Sequence, residues 1–163
     1  MSKIIVITGS PRKGNSYAMV QSFRQAAEAK GAEVKIYDSV KRKNDAADYK
    51  ELDQDLIEAD GVVLAAPVYW YTFPVDIKAV IDHLYFPYAK GNTFKGKKTA
   101  LIACCEETTM ETFDGMNFAF DKTMELMEAE IVGKVEVPGV LNVNDIRNTD
   151  GEAQAAALAE KFV

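Results

Sequence analysis

Residues 4–16 read IIVITGSPRKGNS, and this stretch decides the fold. Ile4, Ile5, Val6 and Ile7 make an unbroken apolar run of the kind that fills a strand buried on both faces. The run passes directly into Thr8-Gly9-Ser10-Pro11-Arg12-Lys13-Gly14-Asn15-Ser16, a turn dense in hydroxyls, amides and cations. A helix follows, with Met19, Val20, Phe23 and Ala27 on one face. A strand that turns through small residues into a helix makes an anion site, because unpaired backbone N–H groups and the positive end of the helix dipole converge on one point. Ser10, Asn15 and Ser16 can donate to phosphate oxygens, and Arg12 can add a charge-assisted bond. A helix cap at Asn15 or Ser16 accounts for one polar residue here, but not for the whole run. The chain lacks both G-x-x-x-x-G-K-[ST] and G-x-G-x-x-G, which argues against a P-loop nucleotidase and a dinucleotide-type turn. The expectation is a single terminal phosphate, held without a metal.

Working outward, strand and helix patterns alternate to the end of the chain. Strands are expected near 3–8, 33–38, 61–66, 98–104 and 131–137, and helices near 15–30, 49–59, 75–86, 115–129 and 152–162. The runs GVVLAA and KTALIACC are continuously apolar, like the first strand. Ile77, Val80, Ile81 and Leu84 mark the inner face of one helix, and Met116, Phe120, Met124 and Met127 that of another. The methionines read as core filling. Alternation of this kind predicts an α/β fold with a five-stranded parallel sheet covered on both sides. The stretch 39–48 reads as an exposed loop, whose Lys41-Arg42-Lys43 run is either solvated or a basic lid over a ligand.

With 163 residues and no linker, the chain reads as one domain over 1–163, large enough to bury a core. A net charge of -6 argues against nucleic acid and against an anionic membrane surface as partners. No apolar run approaches the ~20 residues of a membrane span. Cys104 and Cys105 are adjacent and have no metal-ligand spacing, so neither a disulfide framework nor a metal site is expected. A reducing cytoplasm is the expected compartment.

In a doubly wound sheet the ligand sits past the carboxyl ends of the strands, where strand order reverses. After the third strand comes Pro67-Val68-Tyr69-Trp70-Tyr71-Thr72-Phe73-Pro74, with four aromatic residues between positions 69 and 73. Aromatic side chains there make a wall for a planar ring, or an oligomer interface, or both. After the fourth strand comes Cys104-Cys105-Glu106-Glu107-Thr108-Thr109, a polar segment that can reach the far side of the same ring. One phosphate and one large flat ring together describe flavin mononucleotide (FMN).

GSPRKGNS together with DGVVLAAPVYWYTFPVDIKAVIDHLY resembles the flavodoxin-like family of NAD(P)H-dependent FMN reductases, in the branch that includes iron–sulfur flavoproteins. The resemblance covers Gly9 to Ser16 and Asp60 to Asp82 in order. It implies a flavodoxin-like three-layer α/β/α sandwich with strand order 2-1-3-4-5. It assigns the FMN phosphate to Ser10, Arg12, Asn15 and Ser16, and the ring and ribityl chain to Pro67, Val68, Tyr69 and Trp70. Reduced nicotinamide would pass a hydride to flavin N5 and leave. A quinone, an azo or nitro compound, free flavin or a protein would then be reduced, in ping-pong order and with no catalytic side chain. A one-electron carrier and a flavin-dependent redox sensor are the alternatives. Related proteins are dimers, so a homodimer or homotetramer is expected. The chain departs from the branch in three places, one being Glu106 and Glu107 in the loop after the fourth strand, which is often rich in glycine and small residues in relatives. It has no cysteines between the second strand and second helix to hold a cluster, and His83 stands where relatives often carry arginine. As the only histidine, His83 is expected at a surface or interface.

Overall fold

In the computed structural model, which describes residues 1–42 and 46–163, strand and helix alternate. The strands are β1 (Lys3–Thr8), β2 (Glu33–Asp38), β3 (Gly61–Pro67), β4 (Lys98–Cys104) and β5 (Glu130–Val137). The helices are α1 (Asn15–Ala29), α2 (Ser39–Arg42), α3 (Ala46–Glu58), α4 (Val75–His83), α5 (Tyr85–Ala89), α6 (Asp114–Leu126) and α7 (Gly151–Ala159). Short 3-10 turns cover Met110–Phe113, Asp145–Asn148 and Glu160–Phe162.

The sheet runs in the order β2-β1-β3-β4-β5 with every pairing parallel. Alternate side chains of each strand feed opposite layers, because the strand period is two. Ile4, Val6, Val63 and Ile102 pack with Phe23 of α1 and Leu158 of α7. Ile5, Ile7, Leu64 and Leu101 pack with Leu52 of α3, Ile77 of α4 and Phe120 of α6. The apolar runs are therefore long because both faces of the sheet are covered. Each such side chain contributes roughly 1.5–3 kcal/mol on burial. The flavodoxin-like α/β architecture and the strand order agree with expectation.

Three details differ from the sequence reading. The helix expected over 75–86 divides at Leu84 into α4 and α5. Pro87 forces the break, because it lacks an N–H and its ring would clash with the carbonyl of His83. Residues 39–42 form a helical turn and not an open loop. The Ser39 hydroxyl donates to the Thr8 carbonyl at 2.7 Å, and the Lys41 N–H donates to Asp38 Oδ1 at 3.2 Å. Arg42 pairs with Glu51 at 3.0 Å and lies 4.9 Å from the centre of the Tyr37 ring, so it braces the surface and does not cover a ligand. Lys43 lies outside the described residues. His83, finally, is mostly buried. Its ring stacks on Tyr49 at 3.9 Å and its Nε2 lies 2.8 Å from Asp53 Oδ1, tying α4 to α3. Among the described residues, no helix is long and apolar enough to cross a membrane.

Candidate functional site

β1 pairs with β2 on one side and β3 on the other, so strand order reverses between β1 and β3. The connections leaving the carboxyl ends of these strands must diverge, and a crevice opens between them. A cavity of about 340 Å³ lies there, within the range that holds small-molecule ligands. All eight residues singled out above line it: Ser10, Arg12, Asn15, Ser16, Pro67, Val68, Tyr69 and Trp70.

The first wall is the turn from β1 to α1. The Gly9 N–H donates to the Ala65 carbonyl at 3.1 Å, and the Ala18 N–H donates to the Gly14 carbonyl at 3.1 Å. Between them, among the described residues, no backbone N–H from Arg12 to Tyr17 donates to a protein oxygen. Ser16 is only 3% exposed, borders the cavity and makes no side-chain hydrogen bond among the described residues. That hydroxyl is open to the cavity and free to donate to a bound acceptor. Gly9 brings this turn against α4, since a Cβ there would lie 2.5 Å from Ile77 Cβ.

Two residues of the turn also serve the fold. Asn15 Nδ2 donates to the Asn142 carbonyl at 3.0 Å, and Asn15 Oδ1 accepts the Ile146 N–H at 3.1 Å. The Arg12 guanidinium donates to the Leu141 carbonyl. Both tie α1 to the connection between β5 and α7. Val140 and Leu141 of that connection line the cavity, although nothing in the sequence reading pointed to them. Their contribution is backbone and apolar, which leaves no side-chain signature. The only available signal was the Pro138-Gly139 turn pair at the end of the fifth strand.

The second wall is the aromatic segment. Tyr69 and Thr72 exchange two backbone hydrogen bonds, at 3.0 and 3.1 Å, closing a two-residue turn. The central residues Trp70 and Tyr71 have φ of 47° and 65°. Positive φ at both central positions is the type I′ pattern, which favours Asn and Gly and strains bulkier residues. Trp70 is 92% exposed at the tip, while Phe73 is buried in the core and does not belong to the wall.

The third wall follows β4. The Cys105 N–H donates to the Val137 carbonyl at 3.1 Å, and the Val140 N–H donates to the Cys105 carbonyl at 2.9 Å. Cys104, Cys105, Glu106, Glu107 and Thr112 face the cavity. Burial pushes the Cys104 thiol up to about 12 and also raises Cys105, so both remain protonated and act as apolar surface. The cavity is thus cationic at Arg12 and anionic at Glu106 and Glu107. Among the described residues, no cluster of side chains is arranged to hold a metal ion.

A sequence model of the family described as having a flavodoxin-like fold matches residues 2–162. The chain is 34% identical over 112 residues to an iron–sulfur flavoprotein of Archaeoglobus fulgidus, covering 58% of this chain and 50% of that one. It is 30% identical over 121 residues to an iron–sulfur flavoprotein of Methanosarcina thermophila, covering 62% of each. The chain therefore spans 50% to 62% of the length of the curated relatives it matches. Among solved structures, an FMN-dependent NADH-azoreductase of Bacillus anthracis in complex with FMN superposes with a TM-score of 0.75, at 13% identity and over 99% of both chains.

Proposed function

Since the chain belongs to the family with the flavodoxin-like fold, we propose that it is an oxidoreductase that holds FMN in the cavity beyond β1 and β3. It would draw electrons from NAD(P)H and deliver them to a quinone, an azo or nitro compound, free flavin or a protein. The single observation behind this reading is the unspent donor set of the first turn. Apart from that of Ser16, which meets the Cys104 sulfur, the backbone N–H groups from Arg12 to Tyr17 have no hydrogen-bond partner among the described residues, and they stand beside the Ser16 hydroxyl and the Arg12 cation. That set matches a phosphate dianion at a helix N-terminus. The likeness to two flavoproteins and to an FMN-dependent enzyme supports the same ligand.

When bound, the flavin supplies the hydride chemistry, accepting from a reduced nicotinamide and passing electrons onward. The chain supplies position and environment. The helix dipole and Arg12 hold the phosphate. Tyr69, Trp70, Pro67 and Val68 face the ring from one side, and Cys104 to Glu107 close the other. Val140 and Leu141 would help to exclude water from the occupied cavity. The carboxylates of Glu106 and Glu107 disfavour an anionic acceptor at that rim. No side chain is needed as nucleophile or base, and the protonated thiols fit that division of labour.

The aromatic surface suggests that the working unit is a homodimer or a larger even assembly. Trp70, Val75, Tyr85 and Phe86 are all exposed, at the start of α4 and just beyond its end.

A flavin titration tests the reading. The purified protein should bind FMN at least about tenfold more tightly than riboflavin, the loss of one charged hydrogen bond being worth that much. The loaded protein should oxidise NAD(P)H steadily with a quinone or azo acceptor. Equal affinity for FMN and riboflavin would remove the phosphate assignment, and negligible turnover would favour a one-electron carrier.

A further inference from the structure

A second cavity, of about 90 Å³, opens at the same edge of the sheet on the outer side of the β1–α1 turn. It is lined by Arg12 and Lys13 of the turn, Ser16 and Tyr17 of α1, Asp38 at the end of β2, and Lys41 of α2. Arg12 and Ser16 border both cavities, so the turn is a wall shared between them. The side chains of Lys13, Tyr17, Asp38 and Lys41 have no part in the function proposed above.

The side chains around this cavity select a particular chemistry. Three cations, Arg12, Lys13 and Lys41, face one carboxylate, Asp38, so the cavity favours an anion. A bare inorganic anion would gain nothing from Asp38, which repels it. A carboxylate at the end of the second strand, beside a phosphate-binding turn, suits a ligand that also presents hydroxyls, and in dinucleotide-binding sheets this position bonds the ribose. Asp38 Oδ1 already accepts the Lys41 N–H, while Oδ2 lies 3.9 Å from Lys41 Nζ and keeps capacity for a hydroxyl donor. Tyr17 adds a ring, with Lys13 Nζ 5.5 Å from its centre. The Ser16 hydroxyl, which makes no hydrogen bond among the described residues, supplies a donor where the two cavities meet.

We propose that this cavity binds the adenosine diphosphate moiety of a dinucleotide. The phosphates lie on Lys13 and Lys41, the ribose diol on Asp38, and the adenine against Tyr17. The turn lacks the glycine spacing that lets a pyrophosphate cross a helix N-terminus on backbone groups alone, so side-chain cations carry the phosphates instead. The volume is well below the ~300 Å³ that encloses a whole drug-sized ligand. The cavity encloses only part of such a ligand, and the rest lies at its mouth. The inference rests on the flavin reading only for the identity of the neighbouring ligand.

ADP is the probe. The FMN-loaded protein is titrated with ADP by equilibrium dialysis, beside the Asp38→Asn and Lys41→Ala variants. Saturable binding is expected, weakened about tenfold or more by each change, as for a lost charged hydrogen bond. FMN affinity should stay unchanged in both variants. Lys41 is largely exposed, so its variant keeps the test open if Asp38→Asn disturbs α2. Displacement of ADP by NADPH with FMN retained assigns the moiety to the hydride donor. Displacement of ADP and FMN together by FAD assigns it to a flavin dinucleotide. Absence of saturable ADP binding, equal binding by the variants, or a parallel loss of FMN overturns the proposal. If the chain takes up no FMN, the same titration of the unloaded protein and its variants still decides this inference, and the flavin reading fails alone.

Discussion

The carbonyl oxygen of Tyr71 lies against Gly115, near the start of α6, so closely that a Cβ at position 115 would overlap it. This contact seats the aromatic turn on the first turn of the helix. It also explains how Trp70 and Tyr71 are held at positive φ, since the turn cannot relax toward α6. Gly115→Ala should therefore destabilise the protein by roughly 1–3 kcal/mol, the usual cost of forcing extra volume into a packed contact. The gain from alanine in a helix, about 1 kcal/mol at most, opposes this and does not cancel it. The midpoint of urea denaturation reads the balance. A midpoint at or above wild type would mean that the turn moves freely away from α6.

Arg12 and Asn15 stand three residues apart in the same turn and should respond differently. Asn15→Ala removes two hydrogen bonds and strands the Ile146 N–H in a fully buried residue. The expected loss of stability is roughly 2–4 kcal/mol, with FMN and riboflavin affected alike. Arg12→Ala leaves the core intact. It should weaken FMN roughly ten- to hundredfold and riboflavin little, since only FMN carries the phosphate. Thermal melts and paired flavin titrations of both variants check the division. Equal losses of FMN and riboflavin in Arg12→Ala would assign Arg12 to holding Leu141 alone.

The division between Arg12 and Asn15 also marks what was legible in the sequence. The strands were readable to within a residue or two because burial on both sheet faces leaves unbroken apolar runs such as IIVI and VVLAA. The cavity walls after β1, β3 and β4 were readable because polar and aromatic residues cluster where a strand has just ended. The wall after β5 was not, because Leu141 and Asn142 act through carbonyl oxygens that every residue possesses. Asn15 lines the cavity as expected, but its second role, in the fold, was hidden for the same reason. Its side chain is polar and correctly placed, but its partners lie more than 120 residues away in the chain. The stacking of His83 on Tyr49 was hidden likewise, since it joins two helices whose relative placement no local pattern encodes.

The strained turn offers a trade between stability and binding. The double change Trp70→Asn with Tyr71→Gly installs the residues that a type I′ turn prefers. Relief of two left-handed bulky residues should stabilise the fold by roughly 1 kcal/mol after the entropy cost of glycine. Flavin affinity should fall, because the aromatic wall is gone. In wild type, Trp70 is the sole tryptophan, so bound FMN should quench the protein's fluorescence. A variant no more stable than wild type would show that the turn stores no strain. Emission unaffected by saturating FMN would place Trp70 away from the ring.

Glu136 should make stability fall with rising pH. Burial pushes its carboxyl above the ordinary value, against the lowering effects of the Asn117 amide and Lys134, and with the charges of Asp121 and Asp114 adding to the rise. Between the unfolded and folded values the native state binds the extra proton, so stability is lost as pH rises through that window from about 4.3 upward. Glu136→Gln keeps an acceptor for the Asn117 amide and removes the charge. The variant should match wild type in acid and exceed it at neutral pH. Melting temperatures of both proteins across pH 4 to 8 give the difference curve. A difference that turns in favour of wild type as pH rises would mean that Asn117 and Lys134 outweigh burial.

Assembly follows from where the apolar surface lies. Trp70 and Val75 are 92% and 79% exposed at one end of α4, and Tyr85 and Phe86 are 66% and 60% exposed beyond the other. One flavin ring can cover only the residues that line its cavity, and Val75, Tyr85 and Phe86 are not among them. Exposed apolar surface of this kind marks a contact site more often than it is left in water. A two-fold partner laid along α4 would meet both patches with the same surface on each subunit. It would also bring the Trp70 turn of one subunit near the cavity mouth of the other. Multi-angle light scattering of the FMN-loaded protein should then give at least twice the 18.0 kDa chain mass. Phe86→Ser lies outside the cavity and should shift the mass toward the monomer at micromolar concentration, leaving the melting of the isolated fold close to wild type. A mass of one chain for wild type at that concentration sinks the proposal. So does full assembly of both the Phe86→Ser and the Val75→Ser proteins, since the two patches would then contribute nothing to the contact.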